Sequence, residues 1–211
     1  MPTMPKSVFW SRIDTAGSDH ALFDDRRGLS ARGVGLSVDP LPYTCRYELV
    51  TDETWSPTRL EVSVEGAGWL RTLRLERAAG QWRASTAEQG DLAAALRAIG
   101  RPDAGLPGTE DPDQFGDAID VDLGNAPLFN TLPVRRLGLL DAEPGTAYRL
   151  TVVWVQVPSL VVIPAEQVYT ALGSGRVRFA SEGFTADLQL DANGYVEHYP
   201  GLAERREPAA R

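Results

Sequence analysis

Leu60, Val62 and Val64 alternate with Arg59, Glu61, Ser63 and Glu65, and the same two-residue period returns along most of the chain. That period marks a strand with one face buried and one face wet. Tyr43, Cys45, Tyr47 and Leu49 share one face of a similar run. Residues 6–14 read as a first strand closed by Thr15-Ala16-Gly17, and His20 to Phe23 as a short extended piece. Within 29–38, Gly33 and Gly35 predict a bulge or a close approach by another backbone. Residues 69–77 and 81–85 read as the arms of a hairpin. A second pair, 176–181 and 184–191, lies across Glu182-Gly183, and Asp191 to Gly194 is a tight turn. Residues 146–157 are apolar on both faces, which predicts a central strand covered on both sides, and 161–169 continue it. Short strands at this spacing, closed by glycine or proline, predict an all-β, mainly antiparallel, curved β-roll or barrel-like single domain over 1–203. One segment departs from the rhythm. DLAAALRAI at 91–99, with Asp91 as N-cap and Gly100 as a stop, predicts one short inserted helix within an insertion at about 88–116. Residues 204–211 read as a disordered tail.

A net charge of −8 and a pI of about 4.8 argue against nucleic acid and anionic membrane surfaces as partners, because both need a positive field. Cys45 is the single cysteine, so no internal disulfide forms and a reducing compartment is the simpler reading. It sits on an apolar face, as a small buried hydrophobe does. The longest apolar run, VVWVQVPSLVVIP, is interrupted and too short to span a bilayer, and no signal-peptide pattern opens the sequence. These features predict a cytoplasmic protein with no integral membrane segment. They leave the oligomeric state open.

The chemistry concentrates in DAIDVDLGNAPLFNTLPVRRL, residues 117–137. Ile119, Val121 and Leu123 alternate with Asp120 and Asp122, so one face is apolar and the other carries two carboxylates. Gly124-Asn125-Ala126-Pro127 breaks this strand. A second break spans 130–133, and VRRLGLL leaves as another extended run. On such a run Arg135 and Arg136 point to opposite faces, each pairing with a nearby carboxylate or one meeting a ligand. Asn130 caps backbone groups in the turn or binds. Gln167 and Tyr169 share a strand face and hydrogen-bond either a polyol or the backbone. Asp120 and Asp122, about 7 Å apart between Cα atoms, suit two roles on one sugar or form a solvated acidic face. The histidines His20 and His198 and the lone cysteine match no zinc spacing, and DVDLGN lacks the ligand spacing of a calcium loop. No nucleophile elbow or phosphate loop is present, and no cofactor or metal is expected. Trp10 and Trp154 read as core, and Trp55 as the tryptophan most exposed.

The same stretch, DVDLGNAPLFNTLPVRRL, resembles the central motif of the bacterial family described as putative glycolipid-binding. EQVYTAL with GFTADLQLDANGYVEHYPGL is similar to its C-terminal pattern, and VFWSRIDTAG to its N-terminal one. The resemblance implies an antiparallel β architecture curved around an apolar cavity. It implies a binding protein for a glycolipid or other amphipathic ligand rather than an enzyme. Asp120, Asp122, Asn130, Arg135, Arg136, Gln167 and Tyr169 then become the ligand-binding candidates. The alternatives are a hydrolase on a small carbohydrate or lipid ester using Asp120 and Asp122, and a protein-interaction module built on the acidic insertion.

Overall fold

The computed structural model describes residues 6–106 and 112–207. The alternating runs become a continuous antiparallel meander: β1 (Lys6–Arg12), β2 (Gly17–Asp24), β3 (Ser30–Ser37), β4 (Tyr43–Thr51), β5 (Pro57–Gly66), β6 (Trp69–Ala78) and β7 (Gln81–Gly90). Helix α1 (Leu92–Ala98) follows, then a 3-10 turn at Pro112–Phe115, β8 (Val121–Leu123), a 3-10 turn at Pro127–Asn130 and helix α2 (Thr131–Arg136). The chain closes with β9 (Ala147–Val155), β10 (Val162–Gly173), β11 (Arg176–Ser181), β12 (Phe184–Leu190), β13 (Val196–Tyr199) and β14 (Ala203–Arg205). These fourteen strands of the described residues form one sheet in the order β7 to β1, then β14 to β8. Every pairing is antiparallel except β8 with β9.

Local chemistry explains the turns. Ala79 and Gly80 between β6 and β7 both have positive φ, 53° and 81°, which suits the right-handed twist of a two-residue hairpin. Asp91 accepts from Ala94 N–H at 2.7 Å and starts α1, and Gly100 at φ 71° follows its end, as the sequence predicts.

The sheet curls until its ends face each other. The 3-10 turn Pro112–Phe115 packs against β7 on one side and against β9 and β10 on the other. Trp82 of β7 donates its indole N–H to Ala118 O at 2.9 Å, and Arg71 of β6 reaches Ser159 O at 2.7 Å, between β9 and β10. No strand pairing joins β7 to β8, so the sheet stays open and is not a closed barrel. Trp10, Trp82, Leu60 and Leu75 fill the interior of the first half, and Tyr169, Val177 and Leu188 pack a second cluster in the other.

Several expectations are corrected. VRRLGLL is not extended, because α2 runs through Arg136 and a turn follows. Proline fixes φ near the helical value and lacks only the N–H that a first helical turn leaves unused, so Pro127 and Pro133 start helical turns here. The strand at 146–157 is not central: β9 lies one strand from the edge, and Ala147, Tyr148 and Arg149 are exposed. Gly33 makes no bulge. A Cβ there would lie 1.9 Å from the Tyr47 ring, so a side chain rather than a backbone makes the close approach. Trp55 is buried under the Arg135 guanidinium, which stands 4.5 Å above its ring. The chain stays paired beyond residue 204, with Arg206 N–H donating to Phe9 O at 2.8 Å. The rest of the expected tail, 208–211, lies outside the described residues, as does 107–111 of the insertion.

Candidate functional site

Strand β8 is three residues long, and its pairing with β9 sets two carboxylates on one side of the sheet. Val121 and Leu123 turn into the core. Asp120 and Asp122 turn the other way, but that side is not a solvated face. Helix α2 covers Asp120, which is 2% exposed. Arg136, at the end of α2, donates Nε–H to Asp120 Oδ1 at 3.1 Å and Nη2–H to Oδ2. Burial raises the Asp120 pKa, and the guanidinium opposes the rise. The pair is a fork-on-fork contact with both carboxylate oxygens occupied.

Asp122 meets one amide instead, and a chain of side chains stands behind that amide. Gln167 of β10 donates Nε2–H to Asp122 Oδ2 at 2.6 Å. Tyr169, two residues along the same face, donates its hydroxyl to Gln167 Oε1 at 3.3 Å. Asn130 donates Nδ2–H to the Tyr169 hydroxyl at 2.9 Å. Asn130 precedes α2, yet its side chain makes no capping bond. Burial pushes the Asp122 carboxyl up to about 6, against the Gln167 hydrogen bond and with help from the charge on Asp120. Burial, with Asp122 close by, holds the Tyr169 phenol well above its ordinary value.

Asp122, Asn130 and Gln167 line a cleft of about 440 Å³. Trp154, Phe179, Phe184 and Tyr199 form its aromatic walls. Among the described residues, Asp122 Oδ1 and Asn130 Oδ1 accept from no protein donor, and the Trp154 indole N–H meets no protein acceptor. A half-buried carboxylate, two amides and exposed ring faces are the groups that bind hydroxyls and stack on the apolar faces of sugars.

The seven sequence candidates therefore divide. Three line the cleft, and Tyr169 lies behind them in the same hydrogen-bond chain. Asp120 and Arg136 pair beneath α2. Arg135 lies elsewhere, over Trp55 and donating to Asn193 O at 2.9 Å. Sequence reasoning assigned Trp154 to the core and passed over Phe184. Phe184 is 45% exposed, directly after the Glu182-Gly183 turn. An aromatic placed there with no core to join was the signal available.

Among the described residues no three His, Cys, Asp or Glu side chains converge as a metal site would require, and no helix is long and apolar enough to cross a membrane.

These features define a single-domain, mostly β protein: an open, curved sheet with a polar-floored cleft beside a short parallel edge strand. The chain belongs to the family described as "Putative glycolipid-binding", whose model matches residues 7–205. A crystal structure of a DUF1089 family protein from Pseudomonas aeruginosa is similar, with 26% identity over 98% of this chain and 94% of that chain and a TM-score of 0.59. No curated protein matches. The three motif blocks that carry the resemblance lie in β1 and the turn after it, in β8 to α2, and in β10 with β12 and β13. The first and last meet where Trp10 donates its indole N–H to Val196 O at 2.7 Å.

Proposed function

We propose that the protein binds a glycolipid-like amphipathic molecule and holds its sugar in the cleft beside β8. The observation that carries this reading is the convergence of Asp122, Asn130 and Gln167 with Trp154 and Phe184 around one space of about 440 Å³. That volume falls within the usual range for small-molecule sites. Asp122 Oδ1 and Asn130 Oδ1 accept sugar hydroxyls, an aromatic face stacks on the ring, and Tyr169 positions Gln167 from behind. Family membership supports a binding role.

Hydrolysis by Asp120 and Asp122 finds no support in the geometry. Both oxygens of Asp120 are taken by Arg136, and only Asp122 borders the cleft. An interaction module on the acidic insertion would draw on Glu110 and Asp111, which lie outside the described residues.

The test is native mass spectrometry of protein isolated from the cells that produce it, with extraction of whatever is bound. The expected result is an amphipathic, sugar-bearing mass that is lost in Asp122→Ala and Gln167→Leu and kept in Arg135→Ala. Retention of the ligand by both cleft variants would refute the assignment of this site.

A further inference from the structure

The sugar cleft continues past its own wall. Gly124, Asn125 and Trp154 also line a second cleft of about 820 Å³. The Gly124-Asn125 turn is a sill between the two. Asn125 holds it at φ 69°, with its Nδ2–H donated to the Tyr43 hydroxyl at 3.2 Å. Tyr43 in turn lines the larger cleft, and one Trp154 indole serves both.

The larger cleft has a mixed lining. Leu41, Leu96, Ile99, Pro102, Val157 and Pro158 give it an apolar part, and Asp39, Arg101, Gln156 and Ser159 lie among its polar residues. Of the charges near its rim, Arg12 and Asp14 neutralise each other, with Nε–H to Oδ1 at 2.7 Å. The walls come from distant parts of the chain, and one side chain fixes them. Arg71 is 2% exposed. It donates to Ala104 O at 3.1 Å, Gly105 O at 3.0 Å and Ser159 O at 2.7 Å, and its Nε–H meets Glu88 at 2.6 Å. Ala104 and Ser159 both border the cleft. Ala104 and Gly105, after α1, are thus tied through Arg71 to Ser159 between β9 and β10, which fixes two parts of the lining together.

We propose that this second cleft receives the hydrocarbon chain of the amphiphile whose sugar occupies the first, with the ligand crossing the Gly124-Asn125 sill. The ligand class is an alkyl or acyl glycoside, and Arg71 is a positioning residue for its chain. The inference rests on the sugar reading above. The experiment titrates methyl, hexyl and octyl β-glucoside, each below its micellar concentration, into the full chain. The Trp154 indole N–H resonance, assigned with Trp154→Phe, reports binding. From hexyl to octyl, affinity is expected to rise about threefold per methylene. Ile99→Asp and Thr15→Trp, which alter lining residues from distant parts of the chain, are each expected to erase that rise while leaving the methyl glucoside constant within about twofold. Arg71→Lys is expected to weaken octyl glucoside about tenfold and methyl glucoside little, a split that a general loss of fold would not produce. Equal constants for methyl and octyl glucoside would overturn the chain cleft and leave the sugar site standing. A chain-length gain that survives both wall variants would place the chain elsewhere and overturn it too. If no glucoside binds, the sugar reading fails and this inference goes with it.

Discussion

Each half of the sheet shields a carboxylate from bulk water, and the two are held differently. In the first half, Asp19 of β2 is 2% exposed. It accepts from the Tyr47 hydroxyl at 3.1 Å, while its Oδ1 has no partner and borders a cavity of only about 20 Å³. In the second half, Asp122 accepts from Gln167, which Tyr169 and Asn130 support in turn, and it opens onto the cleft. Burial is the main cause of the raised pKa in both, to about 7 for Asp19 and about 6 for Asp122. A shifted carboxyl therefore does not by itself mark a site. What separates the two is the room beyond the oxygen. About 20 Å³ has room for one water, whereas the cleft at Asp122, at about 440 Å³, has room for a ring.

The largest test of this contrast lies in the first half, at its buried cation. Arg71→Met removes the charge from Glu88 and leaves three carbonyls without their donor. Urea denaturation is expected to show a loss of about 3–5 kcal/mol, and a loss below about 1 kcal/mol would show that water replaces the guanidinium freely. Next comes the side-chain network of the second half. Tyr169→Phe strips the acceptor from Asn130 and the donor from Gln167, with an expected cost of about 1–3 kcal/mol by the same method. An unchanged midpoint would mean the chain of hydrogen bonds is not closed in solution.

The two carboxylates themselves predict a pH dependence. Their folded-state values lie above that of an unfolded carboxyl, so the folded protein holds more protons between about pH 4 and 7. Stability should then fall as pH rises through that window. Asp24, held down at about 2 by Arg26, acts with the opposite sign only at lower pH. Asp19→Asn is expected to flatten the fall more than Asp122→Asn, because its carboxyl is raised further. A larger effect from Asp122→Asn would reverse the ranking of the two halves. The smallest effect belongs to the surface. Arg149 and Glu166 pair at 2.8 Å with both side chains well exposed. Arg149→Ala should change stability by less than about 0.5 kcal/mol.

The strands were legible because a period of two survives any tertiary arrangement that leaves one face wet, as in Leu60, Val62 and Val64. Helix α1 was legible from its cap and its alanines. Helix α2 was not: Pro133 constrains φ in a way that suits both a turn and a helix start, and only the packing decides. That Gln167 and Tyr169 share a face followed from their spacing alone, but that they bond to each other did not. Their partners did not, because Asp122 and Asn130 are brought to them by sheet curvature. The fate of Trp55 was illegible for a similar reason, since the cation covering it comes from Arg135, far along the chain. Family resemblance pointed to a stretch that borders the cleft but could not separate Asp122, on the cleft, from Asp120, two residues away and locked to Arg136.

The short strand β14 has a consequence for how the protein is made. It sits between β1 and β13, pairing Trp10 with Arg205 and His198 with Glu204. The first and second meanders can each assemble from near neighbours as they are synthesised, but the seam between them waits for residues 203–205. Closing a loop of that span early is entropically slow. During translation the exposed edge of β1 is a free template for pairing. A nascent chain that lacks residues 203–205 therefore leaves the β1 edge unpaired, and only β14 closes it.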